Sequence, residues 1–191
     1  LTPAEKAIRY RGLARAVLAE KATEEAIGQA LGQAVQMAPK TAMPAEEAAD
    51  WAIRAAEKIR LLGRTAGTIY PIDRTRPTLL EATESDSTDV QLAAASALAV
   101  MPDETAQQGI VKLGLDGTAE VAAQVQAMQY ATESVRRFGN KLTDELAQRV
   151  LDVVKGDGPG ELRDAAARLL GALNLPSERI QSLIVETAVQ P

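Results

Sequence analysis

Apolar residues recur along most of the chain at steps of three and four, the spacing that gathers them on one face of an α-helix. Val90, Ala94, Ala97, Leu98 and Met101 form one such stripe, and Val121, Val125, Met128, Thr132 and Val135 form another that runs toward Phe138. Leu142, Leu146, Val150, Val153 and Val154 make a third, followed by Leu162, Ala166, Leu169, Leu170 and Leu173, and last by Ile180, Leu183, Ile184 and Ala188. No stretch alternates with the two-residue period of a half-buried strand for long enough to predict one. Spacing and punctuation together predict helices near 3–20, 23–38, 44–63, 76–85, 88–101, 103–115, 118–138, 143–155, 160–173 and 177–189. Only the connection from Gly63 to Arg76 is long, and the expected fold is all-α.

The punctuation is repetitive. Thr2-Pro3-Ala4-Glu5, Met43-Pro44-Ala45-Glu46, Met101-Pro102-Asp103-Glu104 and Leu175-Pro176-Ser177-Glu178 share one pattern. Proline at the first helical position loses no hydrogen bond, and an acid two residues later faces the positive end of the helix dipole. Glu24-Glu25 after Thr23 and Asp144-Glu145 after Thr143 fall at comparable starts, so these paired carboxylates read as first-turn stabilisers rather than as acid–base catalysts. Glu84-Ser85-Asp86-Ser87-Thr88-Asp89 lacks the central glycine and the twelfth-position glutamate of a calcium loop, and reads as a cap at Ser87 or Thr88 with Asp89 in the first turn. Gly156-Asp157-Gly158-Pro159-Gly160 follows a helix and lacks the Gly-Lys-Ser/Thr ending of a phosphate loop, so it reads as a stop and restart. Trp51 shares helical spacing with Ala48, Ala55, Ile59 and Leu62 and is expected in the core.

Composition narrows the chemistry. Alanine fills 36 of 191 positions and aromatics only 3 %, a balance that lets helices approach closely. Without cysteine or histidine there are no disulfides, no thiol nucleophile, no imidazole base and no zinc site built on those residues. No metal site, cofactor or catalytic residue is expected, and zero cysteine fits a cytoplasmic or an exported protein equally. Net charge is −5, split as +3 over residues 1–77 and −8 over 78–191, which argues against a nucleic-acid partner. The longest uncharged run, Ala26 to Pro39, is too short for a membrane span. The densest positive charge lies between Arg54 and Arg76, and Arg60, Arg64, Tyr70, Arg74 and Arg76 are the expected binding residues for an acidic peptide or a phosphorylated group. The same segment is equally suited to docking within the molecule on the acidic second half.

The second half repeats itself. Asp89-Val90-Gln91-Leu92-Ala93-Ala94-Ala95-Ser96-Ala97-Leu98 returns as Glu161-Leu162-Arg163-Asp164-Ala165-Ala166-Ala167-Arg168-Leu169-Leu170-Gly171, with a weaker copy from Glu120-Val121 that keeps Ala127 and Met128. A turn and a second apolar helix follow each copy. Offsets of 31 residues (Val90 to Val121) and 41 (Val121 to Leu162) place about ten extra residues in the long helix ending Arg136-Arg137-Phe138. The pattern resembles the short bacterial HEAT repeat of the phycobilisome-lyase type. That resemblance implies a right-handed α-α superhelix, a HEAT-like solenoid of about three helix pairs over 78–191. An N-terminal helical segment (1–64) and a connecting loop (65–77) would precede it. It also implies inter-repeat bonding by the residues at each first-helix start: Asp89, Gln91, Glu161 and Arg163. Such proteins are mostly non-catalytic scaffolds for protein–protein interaction, and the chain is expected to be part of a larger one. Two alternatives remain: a self-assembling structural element, and a HEAT-like enzyme related to phycobilin lyases or DNA glycosylases.

Overall fold

The structure is a computed structural model that describes residues 45–65 and 72–175. It is all-helical over those residues: α1 (Ala45–Thr65), a 3₁₀ turn (Ile72–Thr75), α2 (Arg76–Ala82), α3 (Thr88–Leu98), α4 (Glu104–Gly114), α5 (Val121–Phe138), α6 (Asp144–Lys155) and α7 (Gly160–Ala172). The helices expected at 3–20, 23–38 and 177–189 lie outside the described residues. Among the described residues no helix is long and apolar enough to cross a membrane.

Helix starts follow local chemistry. Thr143 caps α6 by accepting the Leu146 N–H at 3.3 Å, with Asp144 and Glu145 in the first turn as expected. At α4 the cap is Asp103, whose carboxylate accepts the Ala106 N–H at 3.0 Å. Pro102 therefore stands before the cap and not at the first helical position, because proline has no side-chain acceptor and Asp103 does. Ser87 occupies the cap position of α3 without a side-chain bond. The Gln91 amide holds this end instead, donating to the Ser85 carbonyl at 2.7 Å. Gly139 closes α5 at φ +79°, a left-handed conformation that side chains with a Cβ rarely adopt. The stretch 65–77, expected as a loop, contains the 3₁₀ turn and the first residues of α2, where the Thr75 hydroxyl donates to the Ile72 carbonyl at 2.7 Å.

Packing joins the helices in a regular order. α1 lies against α3, α3 against α5 and α5 against α7, while α2 lies against α4 and α4 against α6. Contacts between the two series join α2 to α3, α3 to α4, α4 to α5 and α6 to α7. One hydrophobic core runs through all of them, from Ala52, Ala55, Ala56 and Ile59 of α1 to Leu162, Ala165, Ala166 and Leu169 of α7. Alanine at the contacts brings backbones close, and at Gly63 even a methyl is excluded: a Cβ there would meet Val100 Cγ2 at 2.5 Å and Ile72 Cδ1 at 2.9 Å. Trp51 is half-buried, packed against the edge of the core one residue round the helix from Ala52.

The third helical residue is buried in three of the odd-numbered helices: Val90 (2 % exposed), Ala123 (2 %) and Leu162 (7 %). Helix α5 thus begins its buried face at Ala123 and not at Val121, which is 36 % exposed. Ala123, Ala127, Met128, Ala131 and Val135 fix the phase of α5, and two residues, about 200° of rotation, turn Val121 outward. The fourth residues also correspond: Gln124 donates to the Asp116 carbonyl as Gln91 does to that of Ser85, and Arg163 holds the same place in α7. At 18 residues α5 exceeds α3 (11) and α7 (13).

Candidate functional site

The polar face of α5 is laid out by helical spacing: Gln129 and Tyr130, then Glu133, then Arg136 and Arg137, at steps of three and four. Two arginines one turn apart on α1 reach this face. Arg60 Nη2 donates to Glu133 Oε2 at 2.9 Å, and Arg64 Nη2 donates to Glu133 Oε1. Both carboxylate oxygens are therefore engaged. The Arg60 guanidinium also stands 5.0 Å from the centre of the Tyr130 ring. From α5, Arg137 returns a bond to α1, its Nη2 donating to the Gly63 carbonyl at 3.1 Å. That carbonyl belongs to the last turn of α1, and helix-end carbonyls commonly take partners from outside the helix. Half-exposed ion pairs of this kind each stabilise by well under about 1 kcal/mol, so their joint effect is to orient α1 on α5.

The residues expected to bind a partner divide. Arg60 and Arg64 share Glu133. Arg76 lies apart at the start of α2, where its Nη1 donates to Asp103 Oδ2 and ties α2 to the cap of α4. Arg74 belongs to the 3₁₀ turn and has an interaction partner of its own, and Tyr70 falls outside the described residues. Docking within the molecule is thus what Arg60, Arg64 and Arg76 do. Asp89, Glu161 and Arg163 are exposed near the starts of α3 and α7, and the Gln91 amide is used on its own preceding connection.

Beside Glu133 a cavity of about 440 Å³ opens between α5 and α7, lined by Gln129, Thr132, Glu133, Arg136, Arg137, Ala165 and Arg168. With Glu133 neutralised by α1, its walls carry a surplus of three guanidiniums. Arg136 and Arg168 are exposed and pair with no carboxylate among the described residues. The Thr132 hydroxyl donates to the Met128 carbonyl at 2.8 Å, which leaves the donors in this cavity to arginine and Gln129. Sequence reading missed Glu133, Arg136, Arg137 and Arg168. The available signal was the polar stripe on the 18-residue α5, whereas Arg168 in isolation reads as an ordinary solvated helix position.

A second, wider groove of about 830 Å³ runs between α2 and α4 to the starts of α3 and α5, with Glu84, Asp86, Asp116 and Glu120 on its rim. One of these acids serves a turn. Asp116 accepts the Thr118 hydroxyl at 2.7 Å and the Thr118 N–H at 2.9 Å, bonds that hold its carboxyl below the usual range. Among the described residues no three acidic side chains are grouped so as to hold a metal ion. Comparisons with protein-family models, with curated proteins and with solved structures find no match to this chain.

Proposed function

We propose that the chain is a HEAT-like α-solenoid, a non-catalytic scaffold that binds an acidic segment of another protein. The ordered succession of helices supports the solenoid: odd-numbered helices follow one another, even-numbered helices follow one another, and each pair adds to one continuous core. The matching third and fourth positions of α3, α5 and α7 support a repeated unit. One observation carries the binding role. On a chain of net charge −5, the α5–α7 cavity gathers three arginines that pair with no carboxylate among the described residues. Cationic walls on an anionic molecule favour a negatively charged segment small enough to avoid the acidic surface around it.

Titration of a labelled glutamate-rich peptide, followed by fluorescence anisotropy at several salt concentrations, tests this reading. Binding that weakens with salt and falls about tenfold or more in an Arg136→Gln/Arg168→Gln variant is the expected outcome. No binding, or binding untouched by the two substitutions, would overturn it.

A further inference from the structure

We propose that the α5–α7 cavity seats a phosphorylated serine or threonine side chain of the bound segment, an inference that rests on the protein-binding reading above. The charge count favours a dianion. Glu133 is already neutralised on both oxygens by Arg60 and Arg64, so it offsets nothing further in the cavity. Arg136, Arg137 and Arg168 remain, and Arg137 spends one N–H on the Gly63 carbonyl. A carboxylate brings one charge and two oxygens to three guanidiniums. A phosphoryl group brings about −1.5 to −2 and three acceptor oxygens, and guanidinium forks bind such oxygens in parallel pairs.

Helix stability alone does not account for the cluster. Arg136 and Arg137 sit in the last turn of α5, where positive charge offsets the helix dipole. Arg168 precedes the last turn of α7, which holds no basic residue. It faces the cavity across the small side chain of Ala165, and no carboxylate pairs with it among the described residues. The partner is a protein rather than a nucleic acid for a reason of extent. A string of phosphates would run from a cavity of about 440 Å³ onto a half of the chain that carries −8, whereas a single phosphoryl group stays within it.

The test is retention of three peptide libraries with identical random neutral flanks and a central phosphoserine, glutamate or serine. The phosphoserine library is expected to be retained about tenfold more strongly than the glutamate library, with inorganic phosphate competing at millimolar concentration. Arg136→Gln/Arg168→Gln should abolish that preference while far-UV circular dichroism stays unchanged. Arg168→Lys, which keeps the charge and the helix but loses the fork, should reduce it, and Arg149→Gln on α6 should leave it intact. Equal retention of phosphoserine and glutamate libraries would overturn the phosphoryl assignment and leave the acidic-segment reading standing. Retention of neither, together with no binding of the glutamate-rich peptide, would end both. Tighter binding of a single-stranded oligonucleotide than of the phosphoserine library would also overturn the proposal.

Discussion

Asp103 does three things with one carboxylate. Its Oδ1 accepts the Ala106 N–H at 3.0 Å and the Thr105 hydroxyl at 2.6 Å, and its Oδ2 takes the Arg76 guanidinium. Burial works to raise its pKa, but the Thr105 and Ala106 bonds and the Arg76 charge outweigh that and hold it below the ordinary 3.8. A depressed carboxyl favours the folded state at any pH above its unfolded value, and that contribution is lost as pH falls through the lower folded value. Asp103→Ala is expected to cost about 1 kcal/mol at neutral pH, with the gap to the original chain closing as urea titrations move below pH 3.8. Asp103→Asn keeps the cap acceptor and should lose the smaller part. A gap that persists unchanged into strong acid would contradict the ionic contribution. The acid was legible in the sequence as a helix-start residue. Its bond to Arg76, 27 positions away, was not, because only packing brings α2 to the start of α4.

Between elements, the tie that sequence reading passed over is Gln107. It sits fully buried on α4, donates to the Ser134 hydroxyl and the Gly139 carbonyl at 3.2 Å each, and accepts the Lys141 N–H at 2.8 Å. One amide thus fixes the end of α5 and the turn into α6 against α4. In an apolar stripe such a residue reads as a solvent-facing gap, since periodicity records polarity and not what satisfies it. Gln107→Ala should destabilise by about 1–3 kcal/mol in denaturant unfolding, because it strands the buried Ser134 hydroxyl and removes the bonds to the exposed Gly139 carbonyl and the half-buried Lys141 N–H. A loss under about 0.5 kcal/mol would show that water replaces the amide without cost. The register of α5 carries the same lesson. Its two-residue shift from Val121 to Ala123 follows from which face meets α4 and α7, and an alanine-rich helix offers more than one plausible apolar face.

Across the whole molecule, α1 belongs to the shared core. Ala52, Ala55, Ala56 and Ile59 are buried in it, α1 lies against α3, and Gly63 allows its end to touch Val100. A chain beginning at Ile72 keeps the 3₁₀ turn and α2 but uncovers the face of α3 that α1 protects. Its Tm is expected to fall by about 10 °C or more, with new binding of a hydrophobic dye. An unchanged Tm without dye binding would mean that α1 adds nothing to the cooperative unit. The charge asymmetry is used at this scale as well. Arg60 and Arg64, from the positive part of the chain, neutralise Glu133 in the negative part, and this leaves Arg136, Arg137 and Arg168 as a cationic cavity.

The sequence by itself determined the all-α character, the places of the helices from 45 to 172, and the absence of thiol and imidazole chemistry. Those properties depend on residues within a turn or two of each other, through caps, dipoles and helical spacing, or on residue type alone. Tertiary structure decided which arginines are consumed and which remain. Arg60 and Glu133 stand 73 positions apart, and Arg136 meets Arg168 only across the α5–α7 contact. A long-range pairing follows from which apolar faces bury against each other, and no local pattern encodes that choice among several alanine-rich faces.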